Sequence, residues 1–542
     1  MGDSKPNGRF ARFTDELDGP VFLVGFLTAL VAVVAFALIP DTAAEAVNNV
    51  NSFLWQNVGW VYILAMFFIV VFALFLVFGP WGNIKLGKPD EEPQYSFLSY
   101  FSMLYSAGIA AGIVFWGPAE AIFHYDTVPP FVGGESQTAD AAVGAVQYTF
   151  FHWGLSAWAA YAIMSLPIAF YTYRHDAPMR ISTVLAPFLG VDNLDSVWAK
   201  LVDILAVFAT LGGIATTLGF VGSQFLTGIE YTTGVSVGDA GTVLAITALT
   251  IAFTLSVTLG IEKGIRRVSQ FNMGLFMLVM LLAFILGPSV YIMTVTTEAL
   301  GQYINQFVAM SFFLNAGNGA SWVGSWTVFY WAWWFSWTPF VGLFIARVSR
   351  GRTIRQVVAT GVLASTGITI PWFGIMGSTA IKLQSTNAAD ILGVISEYGV
   401  AGSGYPLFEA LPVGGVLNLL FLLLITTFFV TSADSSTLAL GMLTTGGELE
   451  PSTINRVIWG GLVGALASLL MVVGGVNALQ AASIITGGPF AIITLLAVAA
   501  IIYICRDIRP IFFDTRRPDT MSESSTNFDA PDDMSAEGAD DD

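Results

Sequence analysis

The stretch GWVYILAMFFIVVFALFLVFGP, residues 59–80, runs for 22 residues without one Asp, Glu, Lys or Arg. As an α-helix it rises about 33 Å, enough to cross the roughly 30 Å hydrocarbon core of a bilayer. Comparable runs recur along the 542-residue chain, which is 55% hydrophobic and only 11% charged. A soluble domain carries about 25% charged residues, so this much apolar surface would lack cover in water. A membrane β-barrel would instead show alternating segments of about ten residues. The sequence predicts an all-α polytopic membrane protein.

Working outward, twelve transmembrane helices are predicted, near 20–39, 59–80, 96–122, 143–171, 200–229, 240–260, 268–296, 325–346, 356–381, 412–442, 456–475 and 480–505. Of the 21 Lys and Arg, all but Lys382 fall in the two tails and in every second loop. Positive loops stay cytoplasmic, so both termini are expected in the cytoplasm of a multi-pass cell-membrane protein. Residues 1–19 are then an N-terminal tail and 20–95 two leading helices. Residues 96–296 and 325–506 form two halves of five helices each. Between them, 297–324 carry Leu300, Tyr303, Ile304, Phe307 and Val308 on one stripe, expected as an amphipathic surface helix and loop on the outer side. Residues 507–542 form a disordered acidic tail, with nine acidic and no basic residues from Pro518 onward.

Several classes are excluded. The single Cys505 rules out a disulfide framework, and His124, His152 and His175 are too few for a multi-His transition-metal centre. No clustered His/Asp/Ser set suggests an enzyme, and no organic cofactor is expected. The tails are too short for a sensor's output domain. With a formal net charge of −17, no nucleic-acid partner is expected, and the lasting partner is membrane lipid.

Three places carry possible chemistry. Trp326, Tyr330, Trp333 and Trp337 are spaced 4, 3 and 4 apart on one helical stripe, with Trp334 beside it. An interfacial belt occupies about one turn, whereas this stripe climbs about 18 Å toward the midplane. Trp326 and Trp331 fit a belt, and Trp333 to Trp337 a ligand site. On span 4, Trp153, Trp158 and Tyr161 share half of the helix. Converging aromatic faces suit a quaternary ammonium, which has no N–H to donate but binds ring quadrupoles. Second, Gly108-Ile-Ala-Ala-Gly112 in span 3 and Ser336-Trp-Thr-Pro339 in span 8 predict broken helices at matching positions, the pattern of a transporter's midplane site. Third, Thr431, Ser432, Asp434, Ser435 and Ser436 on span 10 supply hard oxygens for a small cation, or hydrogen bonds between helices.

The run WTVFYWAWWFSWTPFVGLFIARVSRGRTIR, residues 326–355, resembles the signature of the betaine/choline/carnitine transporter family. His152 to Tyr161 and Thr431-Ser-Ala-Asp434 match it too, as does the plan of two plus ten spans over about residues 10–510. The resemblance implies a LeuT-like five-plus-five inverted repeat behind two extra helices. It implies import of quaternary-ammonium osmolytes of the betaine, choline or carnitine type, and several members are homotrimers. The family's aromatic box would fall on Trp153, Trp158, Tyr161 and Trp334, with Trp333 and Trp337 facing the same passage. One sodium site would take Ser106, Ile109, Phe428, Thr431 and Ser432. The other would take Thr210 and Phe340, but Ile214 stands where a second threonine is needed. The resemblance thus implies sodium-coupled symport. Its alternatives are a sodium-independent exchanger and a proton-coupled symporter, though Gly112 stands where proton-coupled members carry Asp. The acidic tail replaces the basic one of osmosensing members.

Overall fold

In a computed structural model, residues 9–508 are described apart from 109, 237, 259–261 and 319–320; the acidic tail lies outside them. A short α1 (Arg9–Glu16) leads to α2 (Gly19–Leu38) and α3 (Pro40–Phe78). Then come α4 (Phe97–Ala107), α5 (Ala110–Trp116) and α6 (Glu120–Asp126), followed by α7 (Ala139–Trp153) and α8 (Leu155–His175). The first half continues with α9 (Val197–Thr233), α10 (Gly238–Thr258) and α11 (Glu262–Leu286). After α12 (Ser289–Ser311) come α13 (Phe329–Val348), α14 (Ser365–Ser385), α15 (Gly414–Thr444) and α16 (Thr453–Ile508). Among the described residues, seven helices are long and apolar enough to cross a membrane, or eight if the pair bent by 66° at 97–126 is one span. The 56 residues of α16 would extend about 84 Å if straight. Gly475, at φ 57° and ψ −147°, divides them into two segments.

Burial sorts the helices. The apolar window of Ala139–His175 is 94% buried and that of Val197–Thr233 83%, against 22% for Gly19–Leu38. Thus α7, α8 and α9 lie inside, and α2 offers Leu23, Leu27 and Val31 to lipid. The innermost contacts join α13 to α8, α9 and α16. Between membrane helices the hydrophobic effect is weak, so close approach through small residues does this work. A Cβ at Gly487 would lie 2.0 Å from the Ala332 carbonyl oxygen, so α16 meets the backbone of α13 directly. Cys505, near the end of α16, is fully buried.

The loops rich in Lys and Arg meet at one end of the bundle. Arg174 donates to the Gly87 carbonyl at 3.0 Å, and Arg12 to that of Glu450 at 2.8 Å. Arg350 pairs with Glu91, while Lys85 and Thr353 form an isolated antiparallel bridge. Buried Arg180 reaches Asp195 at 3.0 Å and Asp203 at 3.6 Å, and Lys200 pairs with Asp18. The Arg180 hydrogen bond and charge hold the Asp195 carboxyl below its ordinary range. One end for these loops is the arrangement that the positive-inside argument requires. Glu135→Cys, at the opposite end, is expected to react with a membrane-impermeant maleimide on intact cells, and Lys88→Cys only after permeabilisation. The reverse labelling pattern would invert the topology.

Four expectations are corrected. Span 4 is one span, Ala139–His175, but its helix is interrupted: α7 ends and α8 begins around Gly154, at φ −80° and ψ −124°. A side chain there would meet the Phe150 carbonyl at 2.5 Å and the Tyr303 hydroxyl at 3.0 Å. Span 8 is not broken at Pro339, which sits inside continuous α13. Just ahead, the Ser336 and Thr338 hydroxyls donate to the carbonyls of Trp333 and Trp334 at 2.7 and 2.9 Å. Its irregular turn is instead a π-helical one at Gly324–Val328. In span 3, Gly108 ends α4 in extended backbone, φ −73° and ψ 163°, but Gly112 is helical within α5. Finally, Gly287-Pro288 ends span 7 early, so the outer helix α12 starts at Ser289 rather than 297. It buries Ile292, Val295, Ala299 and Tyr303 against α7 and α14, and exposes Ile304 and Val308.

Candidate substrate and ion sites

Four aromatic residues converge where α7 breaks against α13. Trp153 is the last residue of α7. Its ring lies 4.7 Å from Trp334, 5.3 Å from Tyr330 and 6.0 Å from Trp333, each nearly edge-on. Trp333 and Trp334 stack at 5.1 Å. The residues of the sequence-derived stripe are buried, Trp326 only partly, and its ring packs 4.4 Å from His124. Trp158 and Tyr161 form a second group, edge-on at 6.2 Å, with Trp158 stacked on Tyr105 at 5.2 Å. The Trp158 ring lies over the break of span 3, 2.7 Å from where a Cβ of Gly108 would be. Trp337 turns away, donating to the Gly213 carbonyl at 3.0 Å and packing on Phe340 at 5.4 Å.

The Trp158 and Trp333 indole nitrogens and the Tyr161 hydroxyl are buried with no partner among the described residues. A buried donor without an acceptor costs about 1–3 kcal/mol. A ligand that brings an acceptor, such as a carboxylate, would satisfy such groups.

Behind the first aromatic group stands a carboxylate that sequence reasoning passed over. Glu120, at the start of α6, is fully buried. One oxygen meets His152 Nδ1 at 2.6 Å and His124 Nε2 at 3.3 Å. The other accepts from Trp153 Nε1 at 2.5 Å and the Tyr330 hydroxyl at 2.6 Å. His152 Nε2 lies 3.0 Å from Thr327 Oγ1, and the Trp334 indole donates to the His152 carbonyl at 3.1 Å. The network thus ties α6, α7 and α13 together and orients Trp153, Tyr330 and Trp334. Ligand atoms of Glu120, His124 and His152 lie within 4.8 Å of one another, a spacing that could hold a metal ion. The hydrogen bonds already engage both carboxylate oxygens. The signal in the sequence was the i, i+4 pair Glu120/His124 close to an apolar span.

At the first expected ion site, Ser106 donates to the Ser269 carbonyl at 3.4 Å, and Thr431 to that of Phe428 at 2.9 Å. Ile109 and the side chains of Ser432, Asp434 and Ser435 lie outside the described residues. The structure adds Asn272 of α11, which donates to Thr431 Oγ1 and the Thr427 carbonyl, both at 3.1 Å. Its Oδ1 is buried and has no partner among the described residues. At the second, Thr210 and Phe340 are buried; the Thr210 hydroxyl likewise lacks a partner, and Ile214 offers no oxygen.

The family model for betaine/carnitine/choline transporters matches residues 20–508. This chain belongs to that family. A glycine betaine transporter of Bacillus subtilis is 42% identical over 89% of this chain and 93% of the relative. A probable glycine betaine transporter of Desulfitobacterium hafniense is 38% identical over 92% and 99%. An ectoine/hydroxyectoine transporter of Virgibacillus pantothenticus is 37% identical over 89% and 96%. The chain is therefore an integral membrane transporter of the betaine/carnitine/choline family, not an enzyme.

Proposed function

We propose that this protein imports a quaternary-ammonium osmolyte of the glycine betaine type by secondary active transport. The observation that carries this reading is the buried convergence of Trp153, Tyr330, Trp333 and Trp334, whose ring centroids lie 4.7 to 6.0 Å from Trp153. Ring faces stabilise a desolvated trimethylammonium by about 2 kcal/mol or more, and a conventional hydrogen bond cannot replace them. The unpartnered donors of Trp158, Tyr161 and Trp333 fit the carboxylate at the other end of a betaine. The names of the glycine betaine relatives point the same way. On this reading the chain forms twelve spans with cytoplasmic termini, two leading helices preceding a LeuT-like repeat. The break at Gly108 lies beside Trp158, so a change there is felt at the substrate.

Sodium is the proposed coupling ion, held by the oxygens of Ser106, Phe428 and Thr431 together with Ile109 and Ser432. Asn272 Oδ1 is a further hard-oxygen ligand in reach of the same helices. Thr431→Ala is expected to raise the sodium concentration for half-maximal uptake several-fold, because a small set of oxygens must replace the ion's water shell. A second reading, sodium-independent exchange, is favoured by Ile214 and by the Asn272 amide on Thr431. Counter-flow in proteoliposomes with labelled betaine, choline, carnitine and ectoine, with and without sodium, tests both. Equal uptake after sodium is replaced by potassium selects exchange. Failure of every trimethylammonium compound, with ectoine carried, defeats the substrate reading.

A further inference from the structure

The groups facing Glu120 are His124 of its own helix, His152 and Trp153 of α7, and Tyr330 of α13. Tyr148 stands behind the two imidazoles at 6.0 and 5.6 Å, and Thr327 closes the far nitrogen of His152. No Lys or Arg is among these described partners. An ionised carboxylate is acceptor-only; one oxygen takes the Trp153 N–H and the Tyr330 O–H, and the other takes the two imidazoles in the tautomers that turn an N–H toward it. In that arrangement every facing group donates, which suits an anion. That negative charge lies directly behind two rings of the aromatic group, on the N–H of one and the O–H of the other. Such charge-assisted bonds are stronger than neutral ones. They push electron density into the ring, which makes its face more attractive to a cation.

We propose that Glu120 is the counter-charge for the cationic headgroup, delivered through Trp153 and Tyr330 without touching the ligand. This rests on the trimethylammonium reading above and adds what selects a cation over an uncharged molecule of the same shape. Glu120 is a positioning residue in this scheme. A unit charge about 8 Å away, at an effective dielectric constant of about 20, changes affinity about ten- to thirty-fold. A proton taken by Glu120 removes its negative charge and one taken by His124 or His152 adds a positive charge beside it, so in each case acid makes the cluster less attractive to a cation.

The test uses the full chain in lipid nanodiscs, with binding read by tryptophan fluorescence. The probes are choline and its uncharged carbon isostere, 3,3-dimethyl-1-butanol. Glu120→Gln should weaken choline about ten-fold or more and leave the isostere unchanged, with Glu120→Asp restoring part of the loss. In the wild type, lowering the pH should weaken choline but not the isostere. Equal loss of both probes would make Glu120 a structural brace and overturn the proposal. So would unchanged choline affinity in Glu120→Gln. If Glu120→Gln does not fold, the wild-type pH series decides, and parallel movement of the two probes overturns the proposal. A wild type that binds no trimethylammonium compound defeats the substrate reading itself, and this inference with it.

Discussion

Replacing both Trp153 and Trp334 by leucine is expected to weaken trimethylammonium binding at least a hundred-fold, and either replacement alone about thirty-fold. Each ring contributes roughly 2 kcal/mol in a desolvated site, which for two independent rings would approach a thousand-fold. The rings are in contact at 4.7 Å, however, so the two losses couple and the sum is an upper bound. Removing a buried tryptophan also costs about 3–5 kcal/mol of stability, so titrations belong on monodisperse, folded protein. Trp158→Leu extends the series to the second aromatic group. Full affinity in the double variant would return these residues to packing.

Gly487→Val is expected to lower the unfolding temperature by at least about 10 °C or to abolish folded protein. A Cβ there would sit 2.0 Å from a carbonyl oxygen and 2.8 Å from the carbonyl carbon of Ala332. Both are backbone atoms and cannot swing aside as a side chain would. Helices α13 and α16 would have to part, undoing packing along both, a cost of several kcal/mol. Gly461→Ala is the control, because no atom outside its own helix lies within 4 Å of the added carbon. Folded Gly487→Val with an unfolding temperature near that of the control would show that the helices do not meet so closely. Any surviving protein should also bind ligand poorly, since α13 carries Trp333 and Trp334.

Much of this was legible in one dimension because a bilayer simplifies the physics. Long uncharged runs mark helices, and the placement of Lys and Arg suggests a side; the loops of Arg12, Lys85, Arg174 and Arg350 meet at one end of the bundle. The stripe of Trp326, Tyr330, Trp333 and Trp337, with Trp334 beside it, was legible by helical spacing; that Trp153 belongs with Trp334 was implied by the family resemblance. The breaks were read less well. Proline suggested one in α13, where the Ser336 and Thr338 hydroxyls bond carbonyls of the preceding turn. The break at Gly154 was missed because the group that leaves no room for a side chain there, the Tyr303 hydroxyl, comes from α12 and arrives only on folding. Glu120 was missed for a related reason. It stands 32 residues from His152 and 210 from Tyr330, so the donors that make a buried carboxylate tolerable appear only after folding. Asn272, likewise, gains significance only beside Thr431.

The burial of Cys505 has a use in the laboratory. It is the chain's single thiol, and the lining of α16 shields it from water-soluble reagents. A spin label or fluorophore attached to an introduced surface cysteine therefore reports from one known address in an otherwise native chain. Pairs of such labels at the Glu135 and Lys88 ends turn the transport cycle into a set of distance distributions, each recorded with and without ligand and ion.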